Sequence, residues 1–159
     1  MSKPPPNPEN AKTVFVTNRK ARFEYHISDK FEAGIELKGT EVKSIRNNQV
    51  SITESFVMFE KGQAILHKMR VEPYTHGNQF NHEPSRPRRL LLHRVEIDRL
   101  EHQMATKGVT IVPLRLYARR GKIKIELGVG KGKSAPDKRE GIKQREAARD
   151  AKRAIARES

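Results

Sequence analysis

Lysine and arginine side chains alternate with apolar side chains between Thr110 and Val129, and this spacing predicts a two-stranded hairpin with one basic face. The turn is predicted at Arg120-Gly121. The side chains predicted to point outward are those of Arg115, Tyr117, Arg119, Lys122 and Lys124. Lysine and arginine neutralise phosphates, and a tyrosine can stack on a base or a ribose. The pattern therefore indicates RNA binding, with a solvated sheet face that binds nothing as the alternative.

Two shorter basic clusters lie nearer the N-terminus. The first lies between two predicted strands and consists of Asn18, Arg19, Lys20, Ala21 and Arg22. The second begins at Lys38 and passes through Gly39 into a helix, for which we predict Thr40 as the N-cap. The free N–H groups and the positive dipole end of such a helix can hold a phosphate, and Lys43 and Arg46 share one helix face. Strand–glycine–helix turns are widespread, so this motif alone is a weak indicator.

The segment 131–159 is basic and contains only two large aliphatic residues, Ile142 and Ile155. Cationic residues recur there at spacings of three and four, which gives one basic stripe on a helix: Arg145, Arg149, Lys152 or Arg153, and Arg157. Ser134 and Asp137 have the spacing of a capping box. A helix without an apolar stripe is marginal in water, so we expect this tail to become helical when it binds a polyanion. The alternative is a tail that only improves solubility.

The whole chain is strongly basic, with 33 Lys and Arg against 19 Asp and Glu in 159 residues and a net charge of +14. Such a charge repels itself unless a polyanion neutralises it; nucleic acid is the commonest one, and an anionic membrane is the other. No stretch approaches the roughly 18 apolar residues of a membrane span, and the N-terminus has no signal-like apolar segment. The absence of cysteine excludes disulfides and thiolate metal sites and fits a cytoplasmic location.

The large apolar side chains are concentrated in residues 13–130, where their periodicity predicts six or seven short strands. The elements predicted there are a strand at Phe23–Ile27, a turn at Ser28–Lys30, a strand at Phe31–Lys38, a hairpin of Ser55–Glu60 with Gln63–Val71 around Lys61-Gly62, a loop at 72–89, and a helix from about Leu92 to Thr106 with Gly108 at its C-cap. This pattern favours a mainly β, closed or nearly closed antiparallel barrel. We expect residues 1–12 to be disordered, 13–130 to form the RNA-binding barrel, and 131–159 to form the tail.

The sequence carries no enzyme motif. The six histidines follow no metal-ligand pattern, and there is no P-loop, no G-x-G-x-x-G and no G-x-S-x-G. Gly128, Gly130 and Gly132 are interpreted as a flexible joint between barrel and tail. We therefore predict a binding protein that is not an enzyme and uses neither cofactor nor metal. Two other hypotheses stay open: a structural ribosomal protein, and a metal-dependent RNA nuclease that uses His76 and His82.

Several segments, in order, resemble the signature segments of the SsrA-binding protein (small protein B) family, across roughly residues 13–157. They are Asn18–Ala21, Gly34–Ser44, Arg86–Leu92, Leu114–Tyr117, Gly130–Lys133 and Asp137–Arg139. The resemblance implies an OB-fold-like barrel with helices packed beside it. One position differs: the family often has a histidine or an aromatic residue just before the Asp-Lys-Arg of the tail, and this chain has Pro136. A stacking role for that position is therefore not expected here.

The family is known to bind the tRNA-like domain of transfer-messenger RNA and to carry it, when alanylated, into the vacant A site of a stalled 70S ribosome. The resemblance thus implies transfer-messenger RNA and the ribosome as partners, with elongation factor Tu contacted indirectly through the alanylated RNA. It also implies that the tail enters the empty mRNA channel beyond the decoding centre. We expect a monomeric, non-catalytic adaptor of bacterial trans-translation and ribosome rescue, in the cytoplasm and not at a membrane.

The patterns and the resemblance together imply which residues contact RNA. Those expected to bind the tRNA-like domain are Asn18, Arg19, Lys20, Arg22, Glu36, Lys38, Gly39, Thr40, Glu41, Lys43, Arg46, Arg115, Tyr117, Lys122, Lys124, Lys131 and Lys133. Those expected to bind the ribosome through the tail are Asp137, Lys138, Arg139, Lys143, Arg145, Arg149, Lys152 and Arg153. Glu36 is an acid among these cations, where it can accept a hydrogen bond from a ribose 2′-OH or a base. The alternative for Glu36 is an ion pair with Lys38.

Overall fold

The computed structural model of the protein describes residues 13–74 and 81–133, together with residues 139, 143 and 146–149. Its elements, in chain order, are β1 (Thr13–Thr17), α1 (Arg19–Glu24), β2 (Tyr25–Ile35), α2 (Gly39–Arg46), β3 (Val50–Ser51), β4 (Phe56–Glu60), β5 (Gln63–His67), β6 (Arg70–Val71), β7 (Arg88–Leu91), α3 (Arg94–Met104), β8 (Val109–Arg119) and β9 (Lys122–Gly132). No helix within these ranges is long and apolar enough to cross a membrane. The segment 1–12, for which we expected disorder, lies outside the described residues.

Seven strands form one sheet in the order β1-β8-β9-β2-β7-β5-β4, and β3 pairs with β6. Every pairing among the described strands is antiparallel. The sheet curls on itself, because β4 at one edge comes back to lie close to β8 near the other. The core inside this curl includes Ile45 of α2, Leu100 of α3 and the inward residues Leu66, Ile111 and Ile125. The predicted mainly β antiparallel fold with flanking helices is confirmed.

Both predicted hairpin turns are confirmed: Lys61-Gly62 joins β4 to β5, and Arg120-Gly121 joins β8 to β9. At each turn the two central residues have positive φ, 51° and 74° in the first and 52° and 77° in the second. Two consecutive positive φ angles are the conformation of a type I′ turn, whose twist matches that of the flanking strands. Glycine occupies the second position of both turns because it adopts positive φ without a steric cost.

The turn predicted at Ser28–Lys30 is wrong, because β2 runs through this segment as one strand of 11 residues. Its partner β9 is equally long and pairs with β2 over nearly the whole length. The polar residues that suggested a turn are accommodated by an irregularity in the register between Ile27 and Asp29. Such a bulge inserts one extra residue and bends a strand without ending it.

Helix α1 replaces the start of the strand that was predicted from Phe23. The cause is Asn18, whose side chain accepts a hydrogen bond from the backbone N–H of Ala21 at 3.1 Å and acts as the N-cap. The Asn18 amide also donates to the carbonyl oxygens of Ile52 at 3.2 Å and Pro113 at 3.0 Å. This side chain is only 2% exposed. Asn18 therefore anchors α1 on the barrel, and its contact with RNA stays a prediction.

Helix α2 begins at Gly39, and its N-cap is Lys38 rather than the predicted Thr40. The backbone N–H of Lys38 donates to the Glu41 carboxylate at 2.8 Å, which satisfies one of the groups left open at a helix start. The position of the helix is therefore determined by an acid three residues after the N-cap. Thr40 remains in the first turn, where its hydroxyl has another partner, described below.

The structure also changes the boundaries of the predicted loop at 72–89 and of the helix that follows it. The end of the loop is strand β7, which pairs with both β2 and β5. Its short run of apolar residues continued directly into the helical pattern, so periodicity alone did not separate the two. Helix α3 is confirmed within two residues at each end, but its C-cap is Ala105. Gly108, with a φ of 83°, lies in the turn that leads into β8.

All three glycines that were interpreted as a flexible joint lie in strand β9, so that interpretation is wrong, and two of them are packing residues. Gly128 and Gly130 are buried in the middle of the sheet. A Cβ atom on Gly130 would lie 2.9 Å from the Cβ of Tyr25, and one on Gly128 would lie 2.8 Å from a methyl group of Leu114. The missing side chains let neighbouring strands place large residues across β9. At Gly132, by contrast, a Cβ would meet no atom within 4 Å.

We expect Gly130→Ala to lower the free energy of unfolding by about 1–3 kcal/mol, the usual cost of inserting a methyl group into a packed site. The contacting Cβ of Tyr25 is fixed to the backbone and cannot turn away. Gly132→Ala, in the same strand, should change the stability by less than about 0.5 kcal/mol. Urea unfolding followed by circular dichroism measures both variants. Equal stability of the two would contradict the packing role of Gly130.

Candidate nucleic-acid interface

Helix α2 turns one face to solvent. Gly39, Lys43 and Arg46 are exposed and follow one another at the spacing of a single helix face. A Cβ on Gly39 would meet no atom within 4 Å, so the space around the first turn is open. The first N–H groups of a helix lack intrahelical partners, and the helix dipole favours an anion there. This face combines two cations with a helix start that is open to a phosphate.

Beneath this face, Glu41 forms a buried ion-pair network with two arginines. Arg86 Nη2 lies 2.5 Å from Glu41 Oε1, and Arg86 Nε lies 3.2 Å from Oε2. Arg88 donates to Oε2 from Nε at 2.6 Å. The side chains of Glu41 and Arg88 are both 0% exposed. Arg88 also donates to the carbonyl oxygens of Met69 at 2.6 Å and Pro84 at 3.2 Å, so the network joins α2 to three other parts of the chain.

The Glu41 carboxyl group is held in its ionised form. Burial on its own raises its pKa, but the hydrogen bonds from Arg86 and from the Lys38 backbone, with the charge of Arg88, outweigh burial and lower the pKa below its ordinary value. The oxygen atoms of Glu41 are enclosed and bonded to the two arginines, so the structure gives this residue a structural role, and its predicted contact with RNA stays a prediction. Sequence reasoning missed this pairing, since no spacing rule joins residues 45 positions apart.

Thr40 contacts His82 instead of capping the helix. The Nε2 atom of His82 lies 2.8 Å from the carbonyl oxygen of Val71, which can only accept, so Nε2 carries the proton. Nδ1 then accepts a hydrogen bond from the Thr40 hydroxyl, also at 2.8 Å. With both ring nitrogens bonded and the side chain buried, His82 is not available as the metal ligand of a nuclease. His76, its proposed partner, lies outside the described residues.

The β8–β9 hairpin carries paired charges rather than a free basic face. Tyr117 is 1% exposed, and its hydroxyl donates to a carboxylate oxygen of Glu32 from β2. Arg119 donates to the same carboxylate at 3.2 Å. Arg115 lies 2.7 Å from Glu126 of β9. The prediction that Tyr117 projects outward is wrong, because its side chain is buried and its hydroxyl is bonded to Glu32.

Burial, with the hydrogen bond to Glu32, raises the pKa of the Tyr117 phenol, so it remains a donor. The hydrogen bond and charge of Glu126 likewise raise the pKa of Arg115. Of the cations predicted on this hairpin, Lys122 and Lys124 have no ion-pair partner within the described part of the chain. Lys122 is exposed and Lys124 is half-buried. The register irregularity between Pro113 and Arg115, invisible in the alternating sequence, contributes to the difference from prediction.

The exposed face of α2 and the turn of the β8–β9 hairpin meet. The Arg46 guanidinium donates to the carbonyl oxygen of Gly121 at 3.3 Å. Lys43, Arg46, Arg120 and Lys122 are all exposed around this contact, and we call these four residues the hairpin-end cluster. Sequence reasoning missed Arg120, because its place in the turn gave it a structural role only.

A second group of cations surrounds α1, and we call it the α1-end cluster: Arg19, Lys20, Arg22, Lys131 and Lys133. Lys133 joins its two parts, because its backbone N–H donates to the carbonyl oxygen of Glu24 at 2.8 Å and its Nζ donates to that of Arg22 at 3.0 Å. Lys20 is paired with Glu54 at 2.8 Å, and this hydrogen bond raises the pKa of the lysine. The other exposed cations of this cluster remain open to a phosphate.

Strand β9 separates the two clusters. Lys122 begins the strand and Lys131 lies near its end, so at about 3.3 Å per residue they are roughly 30 Å apart. The residues predicted for one RNA surface therefore occupy two places. Glu36 and Lys38 are exposed just before α2. The ion pair suggested between them is not present among the described residues.

The structure describes only part of the predicted tail site. Arg139, Lys143 and Arg149 are exposed and have a helical backbone. The remaining tail residues of that prediction lie outside the described residues: Asp137, Lys138, Arg145, Lys152 and Arg153. The capping box predicted from Ser134 to Asp137 lies outside them as well. Among the described residues, no group of three or more His, Asp or Glu side chains could hold a metal ion.

The chain matches the model of the SmpB protein family over residues 15–157. It is 53% identical to the SsrA-binding protein of Moorella thermoacetica over 145 residues, 91% of each chain. It is 49% identical to that of Geobacillus thermodenitrificans over 148 residues, 93% of this chain and 96% of the relative. A chain from a solved structure described as tmRNA-SmpB in the bacterial ribosome has a TM-score of 0.66 and 44% identity, covering 80% of this chain and 93% of that one. The protein belongs to the SmpB family, the SsrA-binding proteins.

Proposed function

We propose that this protein binds transfer-messenger RNA and acts with it in trans-translation on the ribosome. The observation that carries the proposal is the family match over residues 15–157, together with a structural neighbour solved as tmRNA-SmpB in the bacterial ribosome. The physical features agree, because cations, most of them exposed, are arranged in two clusters on a packed barrel. Such cations hold phosphates in fixed positions.

The finer assignment follows from how the basic residues are held. Clusters on a packed barrel have a fixed geometry, which suits one folded RNA, and we assign them to the tRNA-like domain. The tail presents exposed basic residues with a helical backbone at Arg139, Lys143 and Arg149, and basic residues on a helix suit a narrow RNA-lined channel. We assign it to the vacant mRNA channel of the stalled ribosome. In this account the protein is a monomeric cytoplasmic adaptor without catalysis, and elongation factor Tu joins only through the alanylated RNA.

The RNA that accompanies the protein in cells tests the proposal. After purification from a bacterial lysate, sequencing of the bound RNA should return transfer-messenger RNA as the main species. Recovery of ribosomal RNA alone, with one copy of the protein on every ribosome, would instead identify a structural ribosomal protein. Degradation of that RNA on addition of a divalent metal would favour the nuclease hypothesis.

Lys43→Ala should weaken binding to transfer-messenger RNA without changing the melting temperature, because this lysine is exposed and contributes charge to the hairpin-end cluster. If about 4–6 phosphates are contacted, wild-type affinity falls at least about tenfold between roughly 50 and 200 mM salt, and losing one contact lowers the log–log slope by about one. Glu36→Ala should weaken binding at unchanged stability too. Filter binding at several salt concentrations measures both.

Arg99→Ala is the matched control, since it removes one exposed positive charge from α3, outside both clusters. It should alter affinity far less than Lys43→Ala. A salt response that is flat for the wild type would contradict phosphate binding by these surfaces. An equal loss of affinity in the Lys43 and Arg99 variants would show that only the total charge matters.

A further inference from the structure

A small recess with both polar and apolar walls lies beside the C-terminal half of α2. Its volume is about 220 Å³, and it is lined by Ser44, Asn47, Gln49, Glu72, Pro73 and Tyr74. Two backbone hydrogen bonds fix its walls: the N–H of Gln49 donates to the carbonyl oxygen of Ser44 at 2.9 Å, and the N–H of Glu72 donates to that of Gln49 at 3.0 Å. These bonds join the backbone segments that form the recess.

Ser44 is the unusual residue in this recess. Its side chain is 1% exposed, and its hydroxyl has no hydrogen-bond partner within the described part of the chain. Buried hydroxyl groups are nearly always bonded, because an unbonded one has lost its water without replacement. A buried, unsatisfied hydroxyl that lines an open recess is the arrangement of a site that is completed by a ligand.

The other walls define what the ligand is. Asn47 and Gln49 carry side-chain amides, which both donate and accept hydrogen bonds, and Glu72 offers a carboxylate that also binds Arg70 at 2.6 Å. Tyr74 forms a flat wall, and the Nζ of Lys43 lies 5.3 Å from the centroid of its ring. The fitting group is therefore flat, has hydrogen-bonding edges and is attached to an anion.

The size of the recess points to the same class of ligand. At about 220 Å³ it is below the roughly 300 Å³ at which pockets for drug-sized molecules begin, so it takes a single planar group rather than a whole nucleotide. An RNA base that has left its stack meets each requirement, because it has a π-face, donor and acceptor edges, and a neighbouring phosphate. Lys43, a member of the hairpin-end cluster, is exposed and its Nζ is close to the ring of Tyr74, so it is the nearest identified cation for that phosphate.

We propose that this recess binds one unstacked base of the RNA, with the base against Tyr74, one edge hydrogen-bonded to the Ser44 hydroxyl, and the adjacent phosphate at Lys43. The inference rests on the proposed RNA-binding function and deepens it, since it adds a base contact to surfaces that otherwise contact the backbone. Phosphate contacts position a protein on RNA, whereas a base held in a pocket makes one nucleotide of the sequence matter.

Ser44→Ala and Tyr74→Leu test this with full-length transfer-messenger RNA as the probe. Ser44→Ala removes only the hydroxyl, so the melting temperature should stay the same or rise, while affinity should fall about five- to twentyfold, the effect of one lost hydrogen bond to a bound group. Tyr74→Leu should weaken binding by roughly 5- to 100-fold, the range for losing one base–aromatic stack. Tyr74→Phe keeps the ring and should bind within about twofold of the wild type.

Ser55→Ala is the control, because Ser55 is the other buried serine whose hydroxyl is unpartnered among the described residues, and it does not line this recess. It should leave affinity unchanged. Ultraviolet crosslinking followed by mass spectrometry should place a nucleotide on Tyr74 in the wild type. If the wild type binds the RNA and both recess variants bind it equally well, the recess is not a base site and the proposed function stands. If the wild type itself fails to bind, the proposed function fails.

Discussion

Replacing Glu41 with alanine is expected to lower the free energy of unfolding by about 3–5 kcal/mol, the range for removing one partner of a buried ion pair. The substitution leaves Arg88, which is 0% exposed, without its carboxylate partner in the interior, and it also frees Arg86. It removes the acceptor for the Lys38 N–H at the start of α2 as well. Because small domains are stable by only about 5–15 kcal/mol, the variant should be close to unfolding. Urea or thermal unfolding measures the change.

Glu36→Ala is the matched control, since it removes a carboxylate from the same segment at an exposed position. It should change stability by less than about 0.5 kcal/mol. Comparing the two losses of stability separates the effect of the buried Glu41 from that of the exposed Glu36, which lies five residues earlier. Similar losses in the two variants would show that the segment tolerates neither change, and the buried network would not be the cause.

Because of the same ion-pair network, the free energy of unfolding should depend on pH. The pKa of Glu41 is lower in the folded protein than its value of about 4.3 in an unfolded chain. Its contribution is therefore complete above that unfolded value and is lost as the pH falls through the lower folded value. The stability difference between the wild type and Glu41→Gln should shrink as the pH falls from about 5 to 2. A difference that stays constant would show that Glu41 does not titrate with unfolding.

The second large effect is expected from deleting residues 134–159. The cut falls after Lys133 because β9 continues to Gly132 and the Lys133 backbone is bonded to Glu24. Binding to isolated transfer-messenger RNA should change by no more than a few-fold, because both cation clusters on the barrel are retained. Peptide tagging on stalled ribosomes should be abolished, because the segment assigned to the mRNA channel is gone. Tagging in a reconstituted translation system, with RNA binding measured in parallel, tests both statements.

A substitution of Asp137, Lys138 and Arg139 by alanine should reproduce part of the tagging defect while the rest of the chain is kept. If the truncated protein supports tagging, the tail only improves solubility. If it no longer binds transfer-messenger RNA, the division between barrel and tail is wrong. A helix over residues 137–157 would be about 30 Å long, at 1.5 Å rise per residue.

Local pattern was sufficient for elements whose partners are adjacent in the chain. Both hairpins and α3 follow from alternation, turn residues and helical spacing, which are properties of neighbouring residues. The turn predicted at Ser28–Lys30 failed because β9, about a hundred residues away, keeps β2 extended. The β9 glycines were misinterpreted for the same reason, since the residue that fills their space is Tyr25 on another strand.

The candidate site shows the same limit. Exposed lysines such as Lys43 and Lys122 were found from the sequence, because charge and periodicity place them on an outer face. The sequence did not predict which charges are already neutralised, because Glu32, Glu41 and Glu126 contact their arginines or Tyr117 on parts of the chain that are distant in sequence or on another strand. A count of cations therefore overestimates the basic surface.

Because Lys133 is attached to α1, the barrel and the tail are two binding parts joined at a fixed point on the barrel. The two hydrogen bonds of Lys133 hold the start of the tail against the barrel, so the ten residues from there to Lys143 span at most about 35 Å when extended and about 15 Å when helical. Once the barrel is bound to its RNA, any RNA within that radius meets Lys143 at a high effective concentration, and RNA beyond it is out of reach of that residue. A weak tail contact then contributes strongly when the RNA it binds lies within this distance of the barrel, and it contributes nothing otherwise. Binding therefore depends on the distance between the two RNA surfaces as well as on their charge.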